Sequence, residues 1–153
     1  MRTTMKHPRL ILLLLLLLSV SVTTLQAQEE LKIHHFFEKY GKQKGSIMTV
    51  FRGESLRSYR LQTYRSITVR YNKAMLDEIQ QSLESDKHQA REIKEVINDG
   101  IITSGYYQLP EEAIRINRYI LFKIGDDGTL TLIYMEGGAD SEELIRNMFL
   151  GRK

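Results

Sequence analysis

The run Tyr119-Ile-Leu-Phe-Lys-Ile124, Gly125-Asp-Asp-Gly128, Thr129-Leu-Thr-Leu-Ile-Tyr-Met135 decides the fold class. Its two flanks are rich in β-branched and aromatic residues, which suit a pleated surface. The loop between them holds two glycines and two aspartates, residues that accept positive φ. Two strand-like runs joined this tightly predict an antiparallel hairpin.

Working towards the N-terminus, Ile101 to Leu109 reads as a further strand, stopped by Pro110. Glu111-Glu112-Ala113 then suits a helical turn. Before that strand, Leu76, Ile79, Leu83, Ala90, Ile93 and Ile97 follow a three-four spacing. They predict a long helix from Lys73 to Asn98, capped by Asn72 and closed by Asn98-Asp99-Gly100. Asp86 interrupts the stripe, as a kink or as a break into two helices. Ile67, Val69 and Tyr71 alternate with Ser66, Thr68 and Arg70, the period of a half-buried strand. Ile47 to Phe51 is apolar in both phases and predicts a short buried strand. Ile33, Phe36, Phe37 and Tyr40 form one helical stripe that ends at Gly41. Towards the C-terminus, Asp140 and Glu143 have capping-box spacing, ahead of Leu144, Ile145, Met148 and Phe149 on one helix side. The order α-β-β-α-β-β-β-α defines one α+β domain over residues 28–153, with helices packed on a mostly antiparallel sheet.

Residues 1–27 have the layout of a secretory signal. Arg2, Lys6 and Arg9 precede an apolar run from Leu10 to Val22, and Ala27 offers a small residue for cleavage. Leu25 is larger than such a site prefers, which leaves the cut uncertain by a few residues. An uncleaved anchor fits less well, because such a run spans ~20 Å as a helix against a hydrocarbon layer of ~30 Å. The expected location is the periplasm or cell envelope of a Gram-negative bacterium, with no stable membrane span after cleavage. The chain holds 22 basic and 19 acidic residues, and the leader contains three of the former and none of the latter. The remainder is neutral. There is no cysteine, which excludes a disulfide scaffold and a zinc–thiolate site. A domain of this size buries about two thirds of its unfolded surface and needs neither.

Four segments carry a resemblance: Leu56 to Tyr71, Ser104 to Pro110, Asn117 to Phe122 and Thr131 to Gly137. In that order, behind a signal peptide, they resemble a domain-of-unknown-function family of small exported proteins from Bacteroidota. The helix–strand opening and the strand–helix ending are also similar to a larger neighbouring uncharacterised exported family. The resemblance implies an exported location and an α+β fold. It implies no reaction, and it transfers no functional residue.

The residues with chemistry are few. His34 and Glu38 stand at i and i+4 on the flank of the first helical stripe, the one pair that resembles metal ligands. A third ligand would have to come from elsewhere, since no HExxH or HxxxH spacing is present. Between residues 52 and 73, Arg52, Arg57, Arg60, Arg65, Arg70 and Lys73 face a single acid, Glu54. Tyr59, Tyr64 and Tyr71 are interleaved with them. Such a surface suits a polyanion or a stacked sugar, or else pairs its arginines with acids of a neighbouring helix. Tyr106 follows Gly105, so an exposed ring there has room for a ligand, unless it belongs to a cross-strand aromatic pair. No nucleophile elbow occurs, and no cofactor is expected. The expected function is a non-catalytic binding domain that engages an envelope component, protein or glycan, through Arg60, Tyr64, Arg65, Arg70 and Tyr106. Nucleic acid is not an expected partner outside the cytoplasm. The alternative is a small periplasmic enzyme or metal-binding protein using His34 and Glu38.

Overall fold

A computed structural model of the chain describes residues 30–111, 114–141 and 143–144. The elements run α1 (Ile33–Tyr40), β1 (Ile47–Arg52), β2 (Leu61–Arg70), α2 (Lys73–Asp86), β3 (Glu92–Asn98), β4 (Ile101–Leu109), β5 (Asn117–Ile124) and β6 (Thr129–Gly137). Short 3-10 turns occupy Gly53–Tyr59 and Lys87–Gln89. The six strands form one antiparallel sheet in the order β1-β2-β6-β5-β4-β3. The domain is therefore α+β, as expected. The expected leader lies outside the described residues. So do Glu112 and Ala113 of the expected helical turn, and Ile145, Met148 and Phe149 of the last helix. Ser141, Glu143 and Leu144 are helical, and the Glu143 N–H donates to Asp140 Oδ1 at 2.8 Å, the capping contact its spacing predicted.

The β5–β6 hairpin is present, with Ile124 opposite Leu130. Two expectations need correction. The long helix from Lys73 to Asn98 does not form: α2 stops at Asp86, and Glu92–Asn98 is a strand. Asn98 pairs with Ile101, which leaves Asp99-Gly100 as a two-residue hairpin loop, with φ of 50° and 78°. Positive φ at both loop residues is the turn whose twist matches flanking strands. The order thus becomes α-β-β-α-β-β-β-β before the Ser141 helical turn. The second correction concerns β1, which is an edge strand and not a buried one. It is apolar in both phases because Met48 packs into the helix-side core while Phe51 stacks beside Tyr64 on the other face.

Both helices pack on one face of the sheet. Phe36 and Phe37 of α1 and Ile79 and Leu83 of α2 lie buried against Ile67, Ile120 and Leu132. On the opposite face a smaller cluster forms where Ala139 and Leu144 cover Tyr119 and Met135. The helices are antiparallel and joined at both ends. The Asp86 carboxylate, almost fully buried, accepts the Lys32 N–H at 2.7 Å and the Ile33 N–H at 2.9 Å. At the other end Glu78 Oε2 accepts from Lys39 Nζ and Tyr40 Oη, each at 2.6 Å. Burial raises the Glu78 carboxyl, but the hydrogen bonds from Lys39 and Tyr40 outweigh it and hold it below its ordinary value.

Replacing Asp86 by Ala strands two backbone donors at the start of α1, and about 2–4 kcal/mol of stability is expected to be lost. Urea unfolding of the Asp86→Ala variant measures this, and an unchanged midpoint would refute it. The Glu78 contact has a pH signature. A depressed folded pKa contributes stability above the ordinary carboxylate value of 4.5 and loses it as pH falls through the folded value. The stability gap between the wild type and Glu78→Gln is therefore present at neutral pH and closes as the pH falls below the ordinary carboxylate value of 4.5 and through the lower folded value.

Candidate functional site

The alternation of β2 divides the nominated residues between two faces. Arg65 shares its phase with Ile67 and Val69 and lies on the helix side, with its guanidinium 4.6 Å from the Phe37 ring centroid. Arg65 Nη1 is 3.5 Å from His34 Nδ1. Burial, and next the charge of Arg52, push the Arg65 guanidinium below its ordinary value. Tyr64 is in the opposite phase, with its ring 6.1 Å from that of Phe51. Arg60 ends the 3-10 turn with φ 56°, and its Nη1 is 2.7 Å from Glu143 Oε2. Arg70 stands at the other end of the strand and donates from Nη1 to the Asp127 carbonyl at 3.3 Å. Ten residues of strand separate Arg60 from Arg70, on the order of 30 Å. Tyr106 is on β4, three strands from β2, and roughly 14 Å away. Its ring centroid is 6.2 Å from that of Tyr119, and Lys94 Nζ is 5.5 Å from it. The five do not form one site.

What the structure does assemble is the end of the sheet around the β1–β2 connection. Arg52 ends β1, the 3-10 turn carries Arg57 and Tyr59, and Arg60 joins the turn to β2. Arg57 pairs with Glu54 three residues earlier, and both side chains are largely exposed. Leu56 is the buried anchor of the turn. Beside it a 280 Å³ pocket is lined by Thr49, Phe51, Tyr59, Leu61, Tyr64 and Met135, among others. The arginines of this region do not pair with acids of a neighbouring helix as a set. Their contacts are separate, to Glu54, to Glu143, to a backbone carbonyl and to an aromatic ring.

Ser104-Gly105-Tyr106-Tyr107 puts one ring on each face, Tyr107 buried and Tyr106 partly buried. Tyr107 lies under the helices, where a Cβ on Gly105 would meet its ring at 2.6 to 2.9 Å, so glycine is what lets that ring lie flat over the backbone. Burial pushes the Tyr107 phenol up, and its hydroxyl donates to Glu95 Oε1 at 2.7 Å. On the other face, Tyr106, Leu121, Ile133 and Lys123 line an open groove of about 640 Å³.

His34 and Glu38 stay on the α1 flank. The His34 ring meets Tyr134 edge-on at 4.9 Å, and Glu38 acts on Arg65 as a favourable charge. Among the described residues no three His, Cys, Asp or Glu side chains converge. The positive charge of Arg65 beside His34 works against a cation there. One residue escaped notice in the sequence. Arg118 is 5% exposed, donates from Nε to the Pro110 carbonyl at 3.2 Å, and has a buried Nη2 with no hydrogen-bond partner among the described residues. Its neighbour across the sheet, Glu136, is taken instead by the hydroxyls of Tyr134 and Thr63, both at 2.8 Å. The signal was its phase, because Arg118 shares the core-facing phase of Ile120 and Phe122.

This is an α+β domain whose two helices cover one face of the sheet. Residues 20–149 match the family described as Family of unknown function (DUF6108), and the chain belongs to that family. No curated protein matches it.

Calorimetric titration of the purified protein with zinc is expected to give no binding heat. Heat that disappears in His34→Ala would reverse that expectation and revive the metal reading.

Proposed function

We propose that the protein is an exported, non-catalytic binding domain of a Gram-negative cell envelope. It engages another envelope component through the end of the sheet built by β1, the Gly53–Tyr59 turn and the start of β2. The observation that carries this reading is an apolar-aromatic pocket beside a basic turn. Arg52 has no acidic partner among the described residues, while the Arg57 and Arg60 side chains are 77% and 60% exposed. Phe51, Tyr59 and Tyr64 line the pocket. Charges at a rim select and steer a partner, and aromatic rings at its centre supply most of the contact energy.

Export is part of the proposal, and its support is the leader itself: Arg2, Lys6 and Arg9 ahead of the Leu10–Val22 run. A binding role is also supported by where the reactive groups sit. Tyr107, Glu95, Tyr40 and Glu78 are engaged with one another inside or beside the helix layer. Of the four, only Glu95 is also among the residues lining the open groove.

Affinity capture from envelope extract tests the surface. The double variant Arg52→Glu, Arg57→Glu is expected to lose the captured component, and raised salt is expected to weaken capture by the wild type. Arg70→Glu, at the far end of β2, is expected to retain it. Capture unaffected by the double variant would refute the assignment. Fractionation of cells producing the full chain is expected to recover a mature form beginning near Gln28 in the envelope or periplasmic fraction.

A further inference from the structure

The two edges of the sheet are defended differently. An edge strand offers unpaired N–H and C=O groups to any extended chain, and folded proteins guard such edges with charges, bulges or proline. β3 is guarded. Its register shifts between Val96 and Ile97, Glu92 pairs with Lys94, and Glu95 pairs with Lys87. β1 has no such device. It pairs with β2 from Ile47 to Arg52 without a register shift, contains no proline and carries no charge before Arg52. Ile47, Val50 and Phe51 are 69%, 44% and 48% exposed.

Two features at this edge indicate what covers it. The first is charge: Lys42 and Lys44 precede β1, Arg52 ends it, Arg57 follows it, and the one acid among residues 42–57, Glu54, pairs with Arg57. The second is the pocket lined by Thr49, Phe51, Tyr59 and Tyr64, which opens on the face away from the helices, beside the edge. A strand added to a sheet gains affinity from backbone hydrogen bonds and specificity from pockets that accept alternate side chains. A second copy of this chain is a poor occupant. Antiparallel pairing of β1 with β1 sets the Lys44 end of one copy against the Arg52 end of the other, and like charges across strands repel.

We infer that β1 is a docking edge for an extended acidic segment of another polypeptide. The segment adds a seventh strand to the six-stranded sheet and seats an apolar side chain in the Phe51–Tyr59–Tyr64 pocket. This rests on the binding role proposed above, and it names the partner's chemistry and the mode of attachment.

Two labelled peptides of about eight residues test it with the purified protein, one alternating valine with glutamate and the other valine with lysine. The glutamate peptide binds and the lysine peptide does not. Binding protects the amides of residues 47–52 from hydrogen exchange. N-methylation of alternate peptide nitrogens abolishes binding in one of the two phases, the one whose N–H groups face β1. Ile47→Asp and Phe51→Asp, both at exposed positions and checked for folding by thermal melts, weaken binding by about tenfold or more. Val96→Asp on the opposite edge leaves it unchanged.

Failure of the glutamate peptide to bind overturns the inference, as does equal binding by both N-methylated forms. A dimer of the free protein with protected β1 amides overturns it in favour of self-association. The capture assay separates the two levels of the argument. An envelope component lost with Arg52→Glu, Arg57→Glu yet kept by Ile47→Asp overturns strand addition alone. One kept by all of these variants overturns the binding surface too.

Discussion

The buried carboxylate of Asp86 holds the helix layer together. An eight-residue helix such as α1 is marginal in isolation, and its first N–H groups have no partners within it. Lys32, before the first turn, provides no side-chain cap. Asp86, more than fifty residues later in the chain, accepts two of those N–H groups from the end of α2. A carboxylate at a helix N-terminus also meets the favourable end of the helix dipole. With Glu78 binding Lys39 and Tyr40 at the other end, α1 is held antiparallel to α2. Phe36 and Phe37 are thereby aimed at the sheet. Without this brace the helix face of β2 and β6 would lose much of its cover.

The same residue shows how far the sequence could be read. Asp86 stood out as the one polar member of an apolar stripe, and a break there was among the readings. Its reason, a cap for a helix far away in the chain, is a tertiary fact that no local pattern carries. Beyond it the three-four spacing of Ala90, Ile93 and Ile97 suggested that the helix continued, but a short segment of β-branched residues satisfies helical and extended periods alike. The turn residues were the better arbiter. Asp99-Gly100 suits a hairpin loop more than a helix end, and with Ile101 to Leu109 following as a strand it called for a strand before it. The β5–β6 hairpin was legible for the same reason, because there both flanks had an unambiguous period.

For the candidate site, composition was legible and grouping was not. The excess of arginine between residues 52 and 70 was visible directly. Side chains on a strand alternate between faces, so adjacency in sequence works against adjacency in space. Tyr64 and Arg65 are neighbours in the chain and are separated by the thickness of the sheet. Arg65 then finds Phe37 and His34, while Tyr64 finds Phe51. The pairing of β2 with β6, some sixty residues apart, placed Glu136 opposite Thr63. That pairing depends on strand order, which hairpin signals alone do not specify.

Strand order also explains why the cations matter where they do. Inserting β6 between β2 and β5 leaves the first and third strands of the chain as the two edges. β3 carries Glu92 and Lys94, which pair with each other, and Glu95, which pairs with Lys87 of the preceding turn, so it repels a generic strand without attracting a charged one. β1 has apolar and hydroxyl residues along its length and cations only at its ends. Such an edge is electrostatically biased, since the desolvated centre contributes contact and the solvated ends contribute selection. The net charge of the chain conveys none of this, because its excess lies in residues 1–27. A neutral domain with one basic, unguarded edge has a directional preference that its isoelectric point conceals.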